Sequence, residues 1–176
     1  MHKAITLIVG LALLGSVSFP AWTQEAGAGP AATIATVIKL TDQKALPGWS
    51  DKGFTKAMQP YLTPALIAAV AHGAKVASAK QINLYDGEFF TGSQEVVHAK
   101  LFEANVVKLQ GDAAIVAAKI GTSDTNEPPK AGARMTFDLK NIEGVWKIDD
   151  FKNNEPYAAK EPSIKKLFLD PVRYRQ

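Results

Sequence analysis

Two adjacent carboxylates, Asp149 and Asp150, stand near the end of the run Val145-Trp146-Lys147-Ile148-Asp149-Asp150-Phe151 and are the first candidates for acid–base chemistry. Successive side chains on a strand point to opposite faces, so the two cannot act as a dyad. Alternation puts Trp146, Ile148 and Asp150 on one face, and Val145, Lys147, Asp149 and Phe151 on the other. A carboxylate at Asp150, drawn into an apolar concavity beside Trp146 and Ile148, would have its pKa raised and could serve as a general base. The plainer reading, and the preferred one, is a strand-end residue that hydrogen-bonds a neighbouring loop.

Other chemistries have less to work with. The chain has no cysteine, which excludes disulfides, thiolate metal sites, cysteine nucleophiles and an N-terminal lipid anchor. Asp86, Glu88 and His98 form the one acidic–histidine grouping. Asp86-Gly87 reads more simply as a turn, so no metal site is expected. His72 falls in an alanine-rich helix and His2 in the leader. No Gly-x-Ser-x-Gly elbow, phosphate loop or dinucleotide fingerprint is present, and no cofactor is expected. The aromatic set offers a different possibility. Trp49, Tyr61, Tyr85, Phe89, Phe90 and Trp146 are core residues on the plain reading. On the sharper one Trp49, Tyr61, Tyr85, Phe90 and Trp146 line the mouth of a concavity, as a small-molecule site requires.

The elements that must position these residues follow from periodicity. Ile34, Val37, Ile38 and Thr41 recur at helical spacing in a helix opening near Pro30. Ser50 or Asp51 is expected to cap a second helix carrying Phe54, Met58, Tyr61 and Leu62. Thr63-Pro64 is an N-cap followed by proline at the first helical position, and starts a helix through Leu66, Ile67, Val70, Ala71 and Ala74. Four strand-like runs follow: Val97 to Leu109, Ala113 to Ile120, Ala133 to Lys140 and Val145 to Phe151. Gln110-Gly111-Asp112 and Asn141-Ile142-Glu143-Gly144 are turns, and Gly121 to Gly132 is expected to be a polar loop. Ile164, Leu167 and Phe168 mark a short closing helix. Helices followed by an antiparallel meander give an α+β fold, with the N-terminal helices covering the apolar face of a curved, cone-like sheet.

The N-terminus reads as a secretory signal. Met1-His2-Lys3 is a short basic region, and Ala4 to Val17 is an uncharged apolar run of about 14 residues, short of the ~20 a membrane span needs. Cleavage is expected between about residues 21 and 28, leaving residues 29–176 as one domain of a size that buries a single core. The product is then periplasmic or secreted. Twenty basic residues interspersed with 17 acidic ones, for a formal charge of +3, leave no basic stripe for nucleic acid.

Two segments carry a resemblance: Tyr61-Leu62-Thr63-Pro64-Ala65-Leu66, and the Gly-x-Trp-x-Ile-Asp-Asp strand from Gly144 to Asp150. With the order of helices, aromatic turn and meander, the chain resembles the nuclear-transport-factor-2-like (cystatin-like cone) superfamily, and within it exported bacterial proteins of unknown function. That resemblance implies the cone fold and no particular activity, because the fold hosts isomerases, dehydratases, immunity factors and binding modules. The isomerase base and oxyanion donors of the superfamily are not carried over onto this chain. The leading expectation is an exported, non-enzymatic binding or interaction protein, monomeric or homodimeric, for a small apolar ligand or a protein partner. The alternatives are an isomerase or hydrolase using a pocket carboxylate such as Asp150, and an immunity or inhibitor protein presenting the Gly121 to Gly132 loop.

Overall fold

A computed structural model describes residues 29–42, 49–50, 53–83, 89–91, 98–123, 127–158 and 160–174. Helix α1 (Pro30–Asp42) opens it, followed by two short paired strands, β1 (Trp49–Ser50) and β2 (Gly53–Phe54). A 3-10 turn (Gln59–Tyr61) leads into helix α2 (Pro64–Lys80). The four-stranded antiparallel sheet runs in chain order: β3 (His98–Gln110), β4 (Ala113–Ser123), β5 (Lys130–Ile142) and β6 (Val145–Asn153). Helix α3 (Ile164–Leu169) closes the fold. The α+β architecture is therefore the one the periodicity implies.

Local chemistry explains most boundaries. Thr63 caps α2 by accepting the Leu66 N–H at 3.2 Å, with Pro64 following. The β5–β6 turn places both Glu143 and Gly144 at positive φ, the conformation a two-residue hairpin demands, and Asn141 Oδ1 accepts the Gly144 N–H at 2.8 Å.

Two expectations are corrected. The helix predicted after Ser50 is instead the β1–β2 hairpin and the 3-10 turn. Gly53 sits at φ 109°, outside any right-handed helix, and folds the chain back on itself. The predicted loop from Gly121 to Gly132 is trimmed at both ends: residues 121–123 belong to β4 and 130–132 to β5, with Gly121 opposite Ala131 in the ladder, while residues 127–129 lie outside the strands. A side chain at Gly121 would lie 2.2 Å from the Lys130 carbonyl oxygen and 2.5 Å from the Phe102 ring. Glycine there permits strand contact rather than a loop.

The core lies between the inner face of the sheet and the helices. Ala114, Val116, Ala118 and Ile120 of β4 and Met135, Phe137 and Leu139 of β5 alternate inward. Phe54, Phe89, Phe90, Phe151 and Phe168 fill the space beneath the helices. Their rings meet in stacked and edge-on pairs, with centroids 5.0–6.2 Å apart. Helix α1 crosses from β6, where the Thr33 hydroxyl donates to the Trp146 carbonyl, to β3, where Asp42 accepts the Ala99 N–H. The outer face of the sheet carries no helix among the described residues.

Candidate functional site

The Asp149-Asp150 pair does not sit on a regular strand. Leu139 pairs with Ile148 but Asp138 with Asp150, so Asp149 is an extra residue, a β-bulge. The bulge breaks the alternation the sequence implies. Ile148 and Phe151, expected on opposite faces, are both buried inward. Asp150 lies opposite Asp138 rather than on the Ile148 face. The physical cause is on a different element: Asp149 turns toward the start of α2 and α3. Its carboxylate accepts the Thr63 hydroxyl at 2.8 Å, the Lys165 ammonium at 2.9 Å and the Lys140 ammonium at 3.0 Å. The Thr63 N–H also donates to the Ile148 carbonyl at 2.9 Å, beside a parallel bridge between Leu62 and Ile148.

Electrostatics separate the three neighbouring carboxylates. Burial acts to raise the Asp149 pKa, but the hydrogen bonds from Lys165, Thr63 and Lys140 hold it below the usual carboxylate value. Burial, then the negative charges of Asp150 and Asp149, raise Asp138 against a smaller opposing effect of Lys165. Asp138 has no hydrogen-bond or ion-pair partner among the described residues. Asp150 accepts the backbone N–H of Phe151 at 2.8 Å and of Lys165 at 2.9 Å. That is the role of a strand-end residue holding a neighbouring segment.

Asp138 and Asp149 open onto a groove of about 300 Å³ on the outer face, together with Lys108, Ala113, Ile115 and Lys140. Its floor is apolar and its walls hold one unpaired carboxylate and two lysines. A second, shallower trough of about 650 Å³ runs along α2, past Pro64, Ile67, Ala68 and Ala71, with Lys56 and Lys147 at its rim. It holds no carboxylate. A small recess of about 40 Å³ near Phe89, Met135 and Tyr174, edged by Lys152 and Glu161, has room for water only.

The residues singled out in sequence are not brought together. Phe90 is 0% exposed, stacked on Phe54 and Phe151, and offers no surface to a ligand. Tyr61 and Trp146 are half-buried against the core. Trp49 belongs to β1 by its backbone, its side chain lying outside the described part, and Tyr85, Asp86 and Glu88 lie outside the described residues. His98 meets Asp42 at 3.2 Å. Among the described residues no group of three His, Asp or Glu could hold a metal, and no helix is long and apolar enough to cross a membrane. Sequence reasoning found Thr63 as the cap of α2 but missed its hydrogen bond to Asp149, and missed Asp138, Lys140 and Lys165 as groups of this site. Period two on β5, with Met135, Phe137 and Leu139 buried, puts Asp138 on the opposite, outward face.

No family model matches the chain, and no curated protein matches it. Among solved structures it is similar to a phospholipid-binding protein from Ralstonia solanacearum in complex with a phospholipid. The two share 13% identity at a TM-score of 0.33, over 82% of this chain and 79% of the other.

Proposed function

We propose that this protein is a non-enzymatic binding protein that holds a small, mainly apolar ligand in the outer-face groove of the sheet. The observation that carries the reading is the Asp138 carboxylate, without a partner among the described residues, above an apolar floor in a groove of about 300 Å³. That volume reaches the lower end of small-molecule sites, which pair an apolar lining with a few placed polar groups. Ala113 and Ile115 supply the apolar contact. Asp138 supplies an acceptor for an amine or hydroxyl, and Lys108 and Lys140 sit beside any anionic group. This shifts the ligand from the interior of the cone, where the phenylalanines pack, to the opposite side of the sheet.

The groups at hand fit binding better than turnover. Asp150, the candidate base, is occupied by two backbone N–H groups, and Asp149 is neutralised by two lysines. We further infer that the chain acts outside the cytoplasm, on the strength of its basic n-region and apolar run, and that it is a distant cone-fold protein, on the order of its elements. Amide chemical-shift mapping against a library of apolar primary amines and alcohols tests the binding reading. Shifts centred on Ala113, Ile115, Asp138 and Lys140, lost in Asp138→Asn, are the expected result. Shifts confined to Ile67, Ala68 and Ala71 would move the site to the α2 trough and overturn it.

A further inference from the structure

Strand β3 forms one edge of the four-stranded sheet, and no described strand pairs with its second side. An edge of 13 residues is long, and such edges are usually covered or charged to prevent association. Here no described strand lies beyond β3, and its charges, Lys100, Glu103 and Lys108, are of both signs rather than one repelling sign. Phe102 (39%), Val106 (44%), Val107 (61%) and Leu109 (63%) are four of the seven large hydrophobic residues exposed in the described structure. Helix α1 packs against β3 and is hydrogen-bonded to it at Ala99, while Val106, Val107 and Leu109 remain exposed.

The register with β4 tells which way each side chain faces. Ala104, Val106 and Leu109 stand opposite the buried Ala118, Val116 and Ala114, and so belong to the inner face. Glu103, Asn105, Lys108 and Gln110 stand opposite Lys119, Ala117, Ile115 and Ala113 on the outer face. Val107 is the extra residue of a bulge, free of either row. Any strand added at this edge must match inner with inner and outer with outer.

We propose that β3 is a homodimerisation edge, pairing antiparallel with β3 of a second copy about a two-fold axis between Val106 and Val107. In that register Ala104 faces Leu109 of the second copy on the inner side. Asn105 faces Lys108 and Glu103 faces Gln110 on the outer side, and Val106 and Val107 pair across the axis. Faces match on both sides of the bulge. Glu103 also falls diagonal to Lys108 of the second copy, within reach of long side chains, and the symmetry makes that contact twice. Neither residue has an ion-pair partner among the described residues. A register centred on Ala104 also matches faces, but it sets Lys100 against Lys108, a like-charge clash. The edge is thus self-complementary in polarity and charge, which points to a second copy as its occupant.

The absence of cysteine makes the test direct. Val107→Cys places two thiols beside the axis, and mild oxidation is expected to give a disulfide-linked dimer, whereas Val145→Cys, exposed on β6, stays monomeric. Sedimentation of the full chain without ligand supplies the second arm. Glu103→Lys and Lys108→Glu are each expected to weaken association about tenfold, because each substitution acts twice across the axis. The double exchange is expected to restore it. Thermal melting checks that these exposed substitutions leave the fold intact. A chain that stays monomeric at about millimolar concentration, or a dimer that ignores both charge reversals, would overturn the proposal.

Discussion

The two edges of the sheet are built in opposite ways. At β6, a bulge turns Asp149 outward into three hydrogen bonds from three different elements, and Leu62–Thr63 runs alongside Ile148 as an added rung. Asp150 then ties the strand to the first turn of α3. At β3, two bulges leave Phe102 and Val107 without ladder partners, and no described strand pairs on the other side of β3. The same device, one extra residue, locks one edge and leaves the other available. What decides the outcome is whether another element supplies the donors.

The largest test of that contrast compares apolar residues on the two edges. Ile148 is 0% exposed and Val107 is 61% exposed. Ile148→Ala is expected to cost about 2–5 kcal/mol, from lost burial and the cavity it leaves. Val107→Ala is expected to change stability by less than about 0.5 kcal/mol. Urea unfolding of both variants checks the pair, and equal losses would mean that the β3 edge is as embedded as β6. Next in size is Gly73→Ala in α2. The added methyl would meet the Phe168 ring at 2.6 Å and its backbone at 2.6–2.8 Å. Helix propensity favours alanine by about 1 kcal/mol, but the forced separation of α2 and α3 is expected to outweigh it, for a net loss of about 1–2 kcal/mol. A gain in Tm would show that α3 is free to slide, and with it the Lys165 anchor of the closed edge.

Thr63 tests the closed edge through its hydrogen bonds. Its oxygen caps α2 and its hydroxyl proton goes to Asp149. Thr63→Ala removes both and is expected to cost about 1–2 kcal/mol. Thr63→Ser retains both and is expected to keep most of that stability. If serine fails to rescue, the threonine methyl, rather than the oxygen, holds this corner.

How much of this was readable beforehand follows the range of the interactions. Helix α2 was legible because its start is written in adjacent residues, Thr63 and Pro64, and its buried face recurs every three or four positions. The β5–β6 hairpin was legible for the same reason. The Asp149 bulge was not, because period two describes a strand in isolation, while the donors that draw Asp149 outward are Thr63, Lys140 and Lys165. The outward position of Asp138 follows from period two along β5. Asp149, not Asp138, holds Lys140 and Lys165, a competition no local window shows. Gly121 misled the reading for a related reason, since its close approach to Lys130 is made across the ladder.

The smallest effect is also the most discriminating, because it sets the two carboxylates of the groove against each other. Asp149 titrates below the ordinary carboxylate value, so its contribution is present above that value, near 3.9, and is lost as pH falls toward its own pKa. Asp138 is raised, so the sign reverses. Its ionisation weakens the fold, and stability is full below the ordinary value and declines as pH rises through the raised one. Asp149→Asn is therefore expected to lower stability at pH 7 and flatten the acid limb of the stability curve. Asp138→Asn is expected to raise stability at pH 7 slightly, by about 0.5 kcal/mol or less given the solvent around it, with the gain vanishing at low pH. Urea midpoints measured from pH 3 to 7 read both curves. If Asp138→Asn destabilises at neutral pH, its carboxylate already has a partner in the folded protein, and the groove loses the open acceptor on which ligand binding depends.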